Sequence, residues 1–317
     1  MDFVNVLREK GVFADGVHDD TKALQACIDS VRDGGTVYFP DGVYLVSAAL
    51  IFYSNQAFKL SDGAVIRRSE KSEPLTRYLL ASYSEPEQSE YGGTHDVIIS
   101  GGCFDGNKNL TEPSTLINTV HCKNIVIENC RFINCALWHC IEINSTENAV
   151  VRGCVFNGQT YTRVSDVLHN EQIQLDRALE GSYGPVFNCD GRLIDFCADG
   201  TACRNILITD NIFKCDGFPA IGHHDDCGHS GITVSSNVFD GDSGRDNKSR
   251  GYIFFRKSVD NIKVINNCFV SPDNSDSPCV GIISESSDEN ALFAEGNIFQ
   301  GSFDDTIVRG NHKYFKD

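Results

Sequence analysis

HDVIISGGCF (95–104), KNIVIENCRF (123–132), ENAVVRGCVF (147–156), RNILITDNIF (204–213), SGITVSSNVF (230–239), DNIKVINNCF (260–269) and NALFAEGNIF (290–299) are seven versions of one phrase, each closed by a phenylalanine. The phenylalanines fall 28, 24, 57, 26, 30 and 30 residues apart. Self-similarity at this period marks a repeat architecture, in which each unit buries its apolar face on the next. Within each copy the apolar residues alternate, as in Ile125 and Ile127 or Ile206 and Ile208. That is the period of a strand, not of a helix. One short strand per coil of 24–30 residues predicts an all-β chain wound as a parallel β-helix. Any site should then lie along its side.

Composition narrows the rest. The 317 residues suffice for one solenoid domain spanning 1–317, since a solenoid grows by adding coils. No stretch approaches the roughly 20 apolar residues of a membrane helix, so no membrane partner is expected. The opening MDFVNVLREKGVFADG has no basic stretch followed by an apolar one, which gives a cytoplasmic expectation. The net charge of −17 argues against nucleic acid, whose phosphates need clustered Lys and Arg, and it disfavours a long polyanion. Of the 14 cysteines, Cys130 and Cys154 share the slot that Asn211, Asn237, Asn267 and Asn297 occupy in other copies. Equivalent slots stack in a solenoid, so these read as buried thiols in a ladder, not as disulfides. No C-x-x-C pair occurs, and no metal site is assigned.

The first fifty residues differ from the repeats. In DDTKALQACIDSVRDGG (19–35), Thr21 is a candidate N-cap, apolar residues from Ala23 to Val31 recur at helical spacing, and Gly34-Gly35 ends the helix. Two strand-like runs follow, TVYFP and VYLVS. A short capping helix with strands would close the open end of the first coil. The stretch 11–47 resembles the N-terminal segment of the pectate-lyase-like superfamily. Asp15-Gly16, Asp19-Asp20-Thr21, Ala23, Gln25, Gly35, Phe39-Pro40 and Gly42-Tyr44 carry the likeness. The closest layout is that of family 28 glycoside hydrolases. The resemblance implies a right-handed parallel β-helix acting on an oligo- or polysaccharide, and it leaves room for a homo-oligomer packed side to side.

Between the phenylalanine strands lies a more variable set: RYLLASY, TLINTVH, HCIEINS, EQIQLD, PAIGHH, GYIFFRK, VGIISES and DTIVRG. In the resembling proteins one sheet floors the substrate cleft, and this set is assigned that role. An insertion at about 177–202 should wall the cleft beside it. If Ile141, Ile143, Ile173, Leu175, Ile221, Ile253 and Phe255 point inward, three outward columns follow. One holds Asn144, Asp176, His224 and Arg256; the next holds Glu142, Gln174, Gly222 and Phe254; the third holds Cys140, Gln172, Ala220 and Tyr252.

Glycoside hydrolysis needs two carboxyl groups. Asp176 is the first choice as general acid, tuned by His224 and Arg256. Glu142 is its partner, ~8 Å away at Cα from strand spacing and rise, within the range of inverting enzymes. Glu171 competes with it if the strand starts with a bulge, and Asp225 or Asp226 reach in from the next turn. Gln174, His223, Arg256, Lys257, Tyr252 and Asn144 are the candidate substrate contacts, with Arg256 and Lys257 as a clamp and Tyr252 and Phe254 as stacking surfaces. Trp138 is a further stacking candidate. The plainer alternative is a solvated sheet face. GHHDDCGH (222–229) has the residue types of a metal site, but adjacent strand residues diverge, so a polar turn is the simpler reading.

Where family 28 hydrolases carry N-T-D, D-D, G-H-G and R-I-K elements, this chain has HNEQIQLD, AIGHH and FFRKS. The order acid, histidine, base survives, but no motif is intact. The expectation is therefore a glycoside hydrolase working without a cofactor. The rivals are a uronate lyase or epimerase, in which a cation such as calcium would serve, and a non-catalytic carbohydrate-binding or tailspike-like module.

Overall fold

Each repeat contributes three short strands, and successive repeats lay equivalent strands side by side. In the computed structural model, residues 2–71, 77–158, 171–181, 185–216, 219–223, 228–242, 251–272, 279–288, 290–303, 308–309 and 313–314 are described. Their strands form three long parallel sheets. Sheet A carries the alternating part of each phrase, as in Lys123–Glu128, Glu147–Arg152 and Arg204–Thr209. Sheet B carries the phenylalanines, as in Arg131–Ile133 and Val155–Asn157. Sheet C is built from the variable set, including Thr115–Val120, Ile141–Asn144, Ile173–Asp176, Ile221–Gly222 and Ile253–Phe255. The architecture is the expected right-handed parallel β-helix.

The seven phenylalanines pair in register from Phe104 to Phe299. Consecutive rings lie 5.5, 4.9, 4.6, 5.0, 4.7 and 4.8 Å apart and nearly parallel, a continuous stack inside the coil. Each contact adds about 0.5–1.5 kcal/mol beyond burial.

The turn from sheet A to sheet B is a single left-handed residue, filled by Asn129, Gly153, Asp210, Ser236, Asn266 or Gly296. Beside it runs the ladder read from the sequence. Asn211 and Asn237 each donate a side-chain N–H to the next asparagine's Oδ1 at 3.0 Å, and a second to the carbonyls of Val151 and Ile208. Cys130 and Cys154 occupy the same slot in earlier coils and donate their thiols to backbone carbonyls. Every described cysteine is free.

The N-terminal helix is Thr21–Asp29, shorter than its apolar spacing suggested. Thr21 is its first residue, and Asp20 is the N-cap position. The Asp20 carboxylate turns away from the helix to accept from the Phe13 and Ala14 amides at 2.6 and 3.1 Å, which ties down the preceding strand. Gln25 then treats the first sheet C strand as a partner strand would. Its amide accepts from Ile51 N–H at 2.8 Å and donates to Ile51 C=O at 3.0 Å, closing that open edge.

The insertion lies on the outer face of sheet C, at the N-terminal end of the column that carries Asn118 and Glu142. A small antiparallel hairpin, Val186–Phe187 with Leu193–Ile194, folds back over the outer face of the N-terminal coils of sheet C. Val186 packs on Ala49, Ile51, Tyr78 and Ala81. Backbone carbonyls of Phe187, Asp195 and Ala202 accept from Ala49 N–H, Ser84 and Tyr91.

Candidate active site on sheet C

Strand alternation holds where the chemistry was expected. Ile141, Ile143, Ile173 and Leu175 are in the core, so Glu142, Asn144, Gln174 and Asp176 face out. Register sets Glu142 beside Gln174 and Asn144 beside Asp176. The four make a square with carboxyls on one diagonal and amides on the other. Each amide donates to the acid on its own strand, Asn144 Nδ2 to Glu142 Oε1 at 3.3 Å and Gln174 Nε2 to Asp176 Oδ2 at 2.9 Å. Arg177 N–H adds a bond to Asp176 Oδ1 at 2.7 Å. From the coil below, Thr115 donates to Glu142 Oε2 at 3.1 Å, and Asn118 stands in register with Glu142, its buried Nδ2 without a hydrogen-bond partner among the described residues.

The square is deep. Glu142 and Asp176 are only 2 % and 5 % exposed. Burial first, and then the negative charge of Asp176, push Glu142 up to about 7, against the downward pull of Asn144, Thr115 and Asn118. Glu142 is thus held toward its protonated form, and the charge of Asp176 opposes the loss of that proton.

Glu171 joins them. A Cβ added at Gly222 would lie 2.9 Å from Glu171 Cγ and 3.1 Å from its Oε1. Gly222 pairs with Gln174, so the glycine is the gap in which the Glu171 side chain lies. Glu171 stands two residues before the strand Ile173–Asp176. Gln172 sends its amide to the Lys214 carbonyl at 2.7 Å, while Glu171 lies against the face. Its carbonyl meets His139 Nδ1 at 2.7 Å, and its carboxylate lies 4.0 Å from the same nitrogen.

Other candidates are placed differently. Cys140, Ala220 and Tyr252 belong to the core, so the third outward column does not exist. Tyr252 is buried among Phe239, Phe269 and Phe303, with its hydroxyl on the Gly241 carbonyl, and cannot stack on a ligand. His223 is also inward and fully buried, 5.1 Å from His229 and 5.9 Å from Phe255 at the ring centroids. Its Nε2 accepts the Arg256 N–H at 2.8 Å, so it acts on the strand end, not on a ligand. Phe254 does face outward, in register with Gly222, but packs with Val280 and Ile283. Arg256 is half-buried over Phe254, 4.0 Å from Glu285, and its Nε finds no hydrogen-bond partner among the described residues. Lys257 is exposed beyond the strand. Trp138 is half-buried against Tyr78 and Arg77. His224, Asp225 and Asp226 lie outside the described residues. The sequence reading missed Thr115, Asn118 and His139. Extending the outward column one coil down, into TLINTVH, finds Asn118.

Residues 3–161 match the family model described as rhamnogalacturonase A/epimerase, pectate lyase-like. Among curated proteins, the chain is 29% identical over 207 residues to plasmin and fibronectin-binding protein A of Streptococcus pneumoniae, covering 59% of this chain and 29% of that one. It is 35% identical over 125 residues to alginate lyase 7 of Azotobacter vinelandii, covering 33% of this chain and 13% of that one. The matches thus span less than a third of these relatives' lengths. Among solved structures, PfbA, a surface adhesin of Streptococcus pneumoniae, superposes with a TM-score of 0.67 at 21% identity, over 98% of this chain and 81% of that one. An iota-carrageenase with bound iota-carrageenan fragments gives 0.63 at 14% identity, over 90% and 57%. These two likenesses establish the fold.

Proposed function

This chain belongs to the rhamnogalacturonase A/epimerase, pectate lyase-like family, and we propose that within it the protein hydrolyses a glycosidic bond of an oligo- or polysaccharide through the carboxyl pair on sheet C. The observation that carries this is the buried Glu142 carboxyl, pushed up to about 7 by burial and by the charge of Asp176 beside it. The roles are then the reverse of the sequence expectation. Glu142 is the general acid, giving its proton to the leaving glycosidic oxygen as the bond from that oxygen to the anomeric carbon breaks. Asp176 is the base, taking a proton from the water whose oxygen bonds to that carbon. The diagonal of the square is ~8 Å at Cα from strand spacing and rise, which suits a water between acid and base and thus inversion. Asn144 and Gln174 orient the two carboxyls, and Glu171 and Arg256 flank the sugar. The scheme uses no cofactor.

The test is incubation with neutral and uronic oligosaccharides, with and without EDTA, read by mass spectrometry. Products heavier by one water per cleavage, lost in Glu142→Gln and in Asp176→Asn, support the reading. Cleavage without added water identifies a lyase instead.

A second reading follows from the depth of the pair. At 2 % and 5 % exposure, both carboxyls have little surface to offer a sugar. In a binding module without turnover, the same square would be a structural polar network. That reading requires saccharide binding that survives Asp176→Asn and yields no product.

A further inference from the structure

A cavity of about 600 Å³ opens on the outer face of sheet B, away from the carboxyl pair. Its floor is one registered column over four coils, Leu45, Arg67, Asp105 and Ile133. The loops that follow these strands form the walls, bringing Glu70, Lys71, Asn107, Lys108 and Asn109 to the rim. The volume is within the range of small-ligand sites.

The floor is fixed before any ligand arrives. Asp105, 3 % exposed, accepts Arg67 Nε at 2.7 Å, Asn134 Nδ2 at 2.8 Å and the Asn107 N–H at 2.9 Å. Asn107 and Asn109 both donate to Glu70 Oε1, at 3.2 and 2.7 Å. The ion pair uses only the Nε of Arg67. Its two Nη groups have no hydrogen-bond partner among the described residues, and the side chain is 37% exposed. They present four N–H donors in a planar fork, the arrangement that pairs with a carboxylate.

Charge narrows the ligand. In a chain of net charge −17, this lining holds three cations, Arg67, Lys71 and Lys108, against two carboxylates, Glu70 and Asp105. A local cationic excess in an acidic protein selects a short anion, since a long one would meet the repulsive field beyond the cavity. The aliphatic ends of the floor, Leu45 and Ile133, offer surface to the C–H face of a sugar ring, and the asparagine amides can bond its hydroxyls.

We propose that this cavity is a second saccharide site, binding a short uronate-bearing segment through Arg67, Lys71 and Lys108. The ligand class rests on the saccharide reading above, but the site does not depend on the sheet C carboxyls. The test is calorimetric titration with trigalacturonate and trimannuronate, with cellotriose as the neutral probe, on wild type, Lys71→Glu/Lys108→Glu and Asp176→Asn. Both lysines are exposed, so the double variant should keep its fold, checked by circular dichroism. At least one uronate should bind more tightly than cellotriose, bind about tenfold more weakly to the double variant, and bind Asp176→Asn unchanged. No uronate binding to wild type overturns the proposal, as does equal binding to the double variant or a preference for cellotriose. Binding lost in Asp176→Asn but kept in the double variant would assign it to sheet C and also overturn it. Turnover is read separately by mass spectrometry. Cavity binding without any product refutes the hydrolase reading alone, and product with binding unaffected by the double variant refutes the cavity alone.

Discussion

Removing the charge of Glu142 should make the protein more stable at neutral and alkaline pH, although it deletes a group that accepts two hydrogen bonds. Glu142 is raised from an ordinary 4.5 to about 7, with burial the first cause and Asp176 the second. Below pH 4.5 the carboxyl is protonated in folded and unfolded chains alike and carries no penalty. Between 4.5 and 7 the unfolded chain ionises while the folded one holds its proton, so stability falls as pH rises. Above 7 the loss is complete. At about 1.4 kcal/mol per pH unit, the interval is worth roughly 3 kcal/mol. Glu142→Gln keeps the shape, can still accept from Asn144, and offers its N–H to the Thr115 hydroxyl. A misplaced bond costs on the order of 1 kcal/mol, which leaves a gain of about 2 kcal/mol at pH 8 and a loss of about 1 kcal/mol at pH 4. The assay is urea unfolding of wild type and Glu142→Gln from pH 4 to 8, taken as a difference so that other titrating groups largely cancel. A difference that is flat with pH, or that favours wild type at pH 8, would show that Glu142 is ionised without cost. The acid/base division proposed above would then fail with it.

Further outcomes follow from the same geometry. Gly222→Ala places a methyl 2.9 Å from Glu171 Cγ and 3.2 Å from the Phe254 carbonyl, so it should cost about 1–3 kcal/mol in urea unfolding and lower turnover as Glu171 is displaced; an unchanged midpoint would mean the gap is not filled as described. If Glu142 is the general acid, kcat/KM should fall as pH rises through about 7 while it loses its proton, and a profile flat from pH 6 to 8 would assign the acid elsewhere. Asp176→Asn should reduce turnover by about 10²–10⁴-fold if Asp176 is the base, with Tm within a few degrees of wild type. Asn237→Ala strands the Asn211 N–H and the Ile208 carbonyl and should cost about 2–4 kcal/mol, whereas Asn237→Cys should cost less because Cys154 already fills that slot; equal losses would deny the thiol a ladder role.

Where the sequence repeats, it was legible to the residue. Phe104 to Phe299 stack because a coil sets equivalent positions one strand spacing apart, so period alone gave the register. The square at Glu142, Asn144, Gln174 and Asp176 was legible for the same reason, since alternation works inside a strand. It stopped working at the strand entrance. Tyr252 and Ile253 both face the core because the chain is still turning from sheet B into sheet C there. His223 was inward by the alternation itself, and its chemistry was weighted above its parity. The path of the insertion was illegible for another reason. It docks through the carbonyls of Phe187, Asp195 and Ala202, groups that every residue type supplies and no pattern advertises.

The location of the site follows from where repetition ends. Sheet B stacks phenylalanine on phenylalanine, and the turn beside it stacks asparagine on asparagine, so each rung satisfies the next with the same bond. The outward column of sheet C runs Ala81, Asn118, Glu142, Gln174, Gly222, Phe254 and Ile283, with no two neighbours alike. Unlike neighbours cannot share one repeating bond, so each rung needs its own partners. Glu142 has Thr115 and Asn144; Asp176 has Gln174 and Arg177; Glu171 has the space above Gly222. A solenoid under no constraint beyond folding has no reason to bury a carboxyl that destabilises it at neutral pH. The ladders on the other two sheets supply the stability that lets this one depart from the repeat, and the departure is concentrated where two acids share a diagonal.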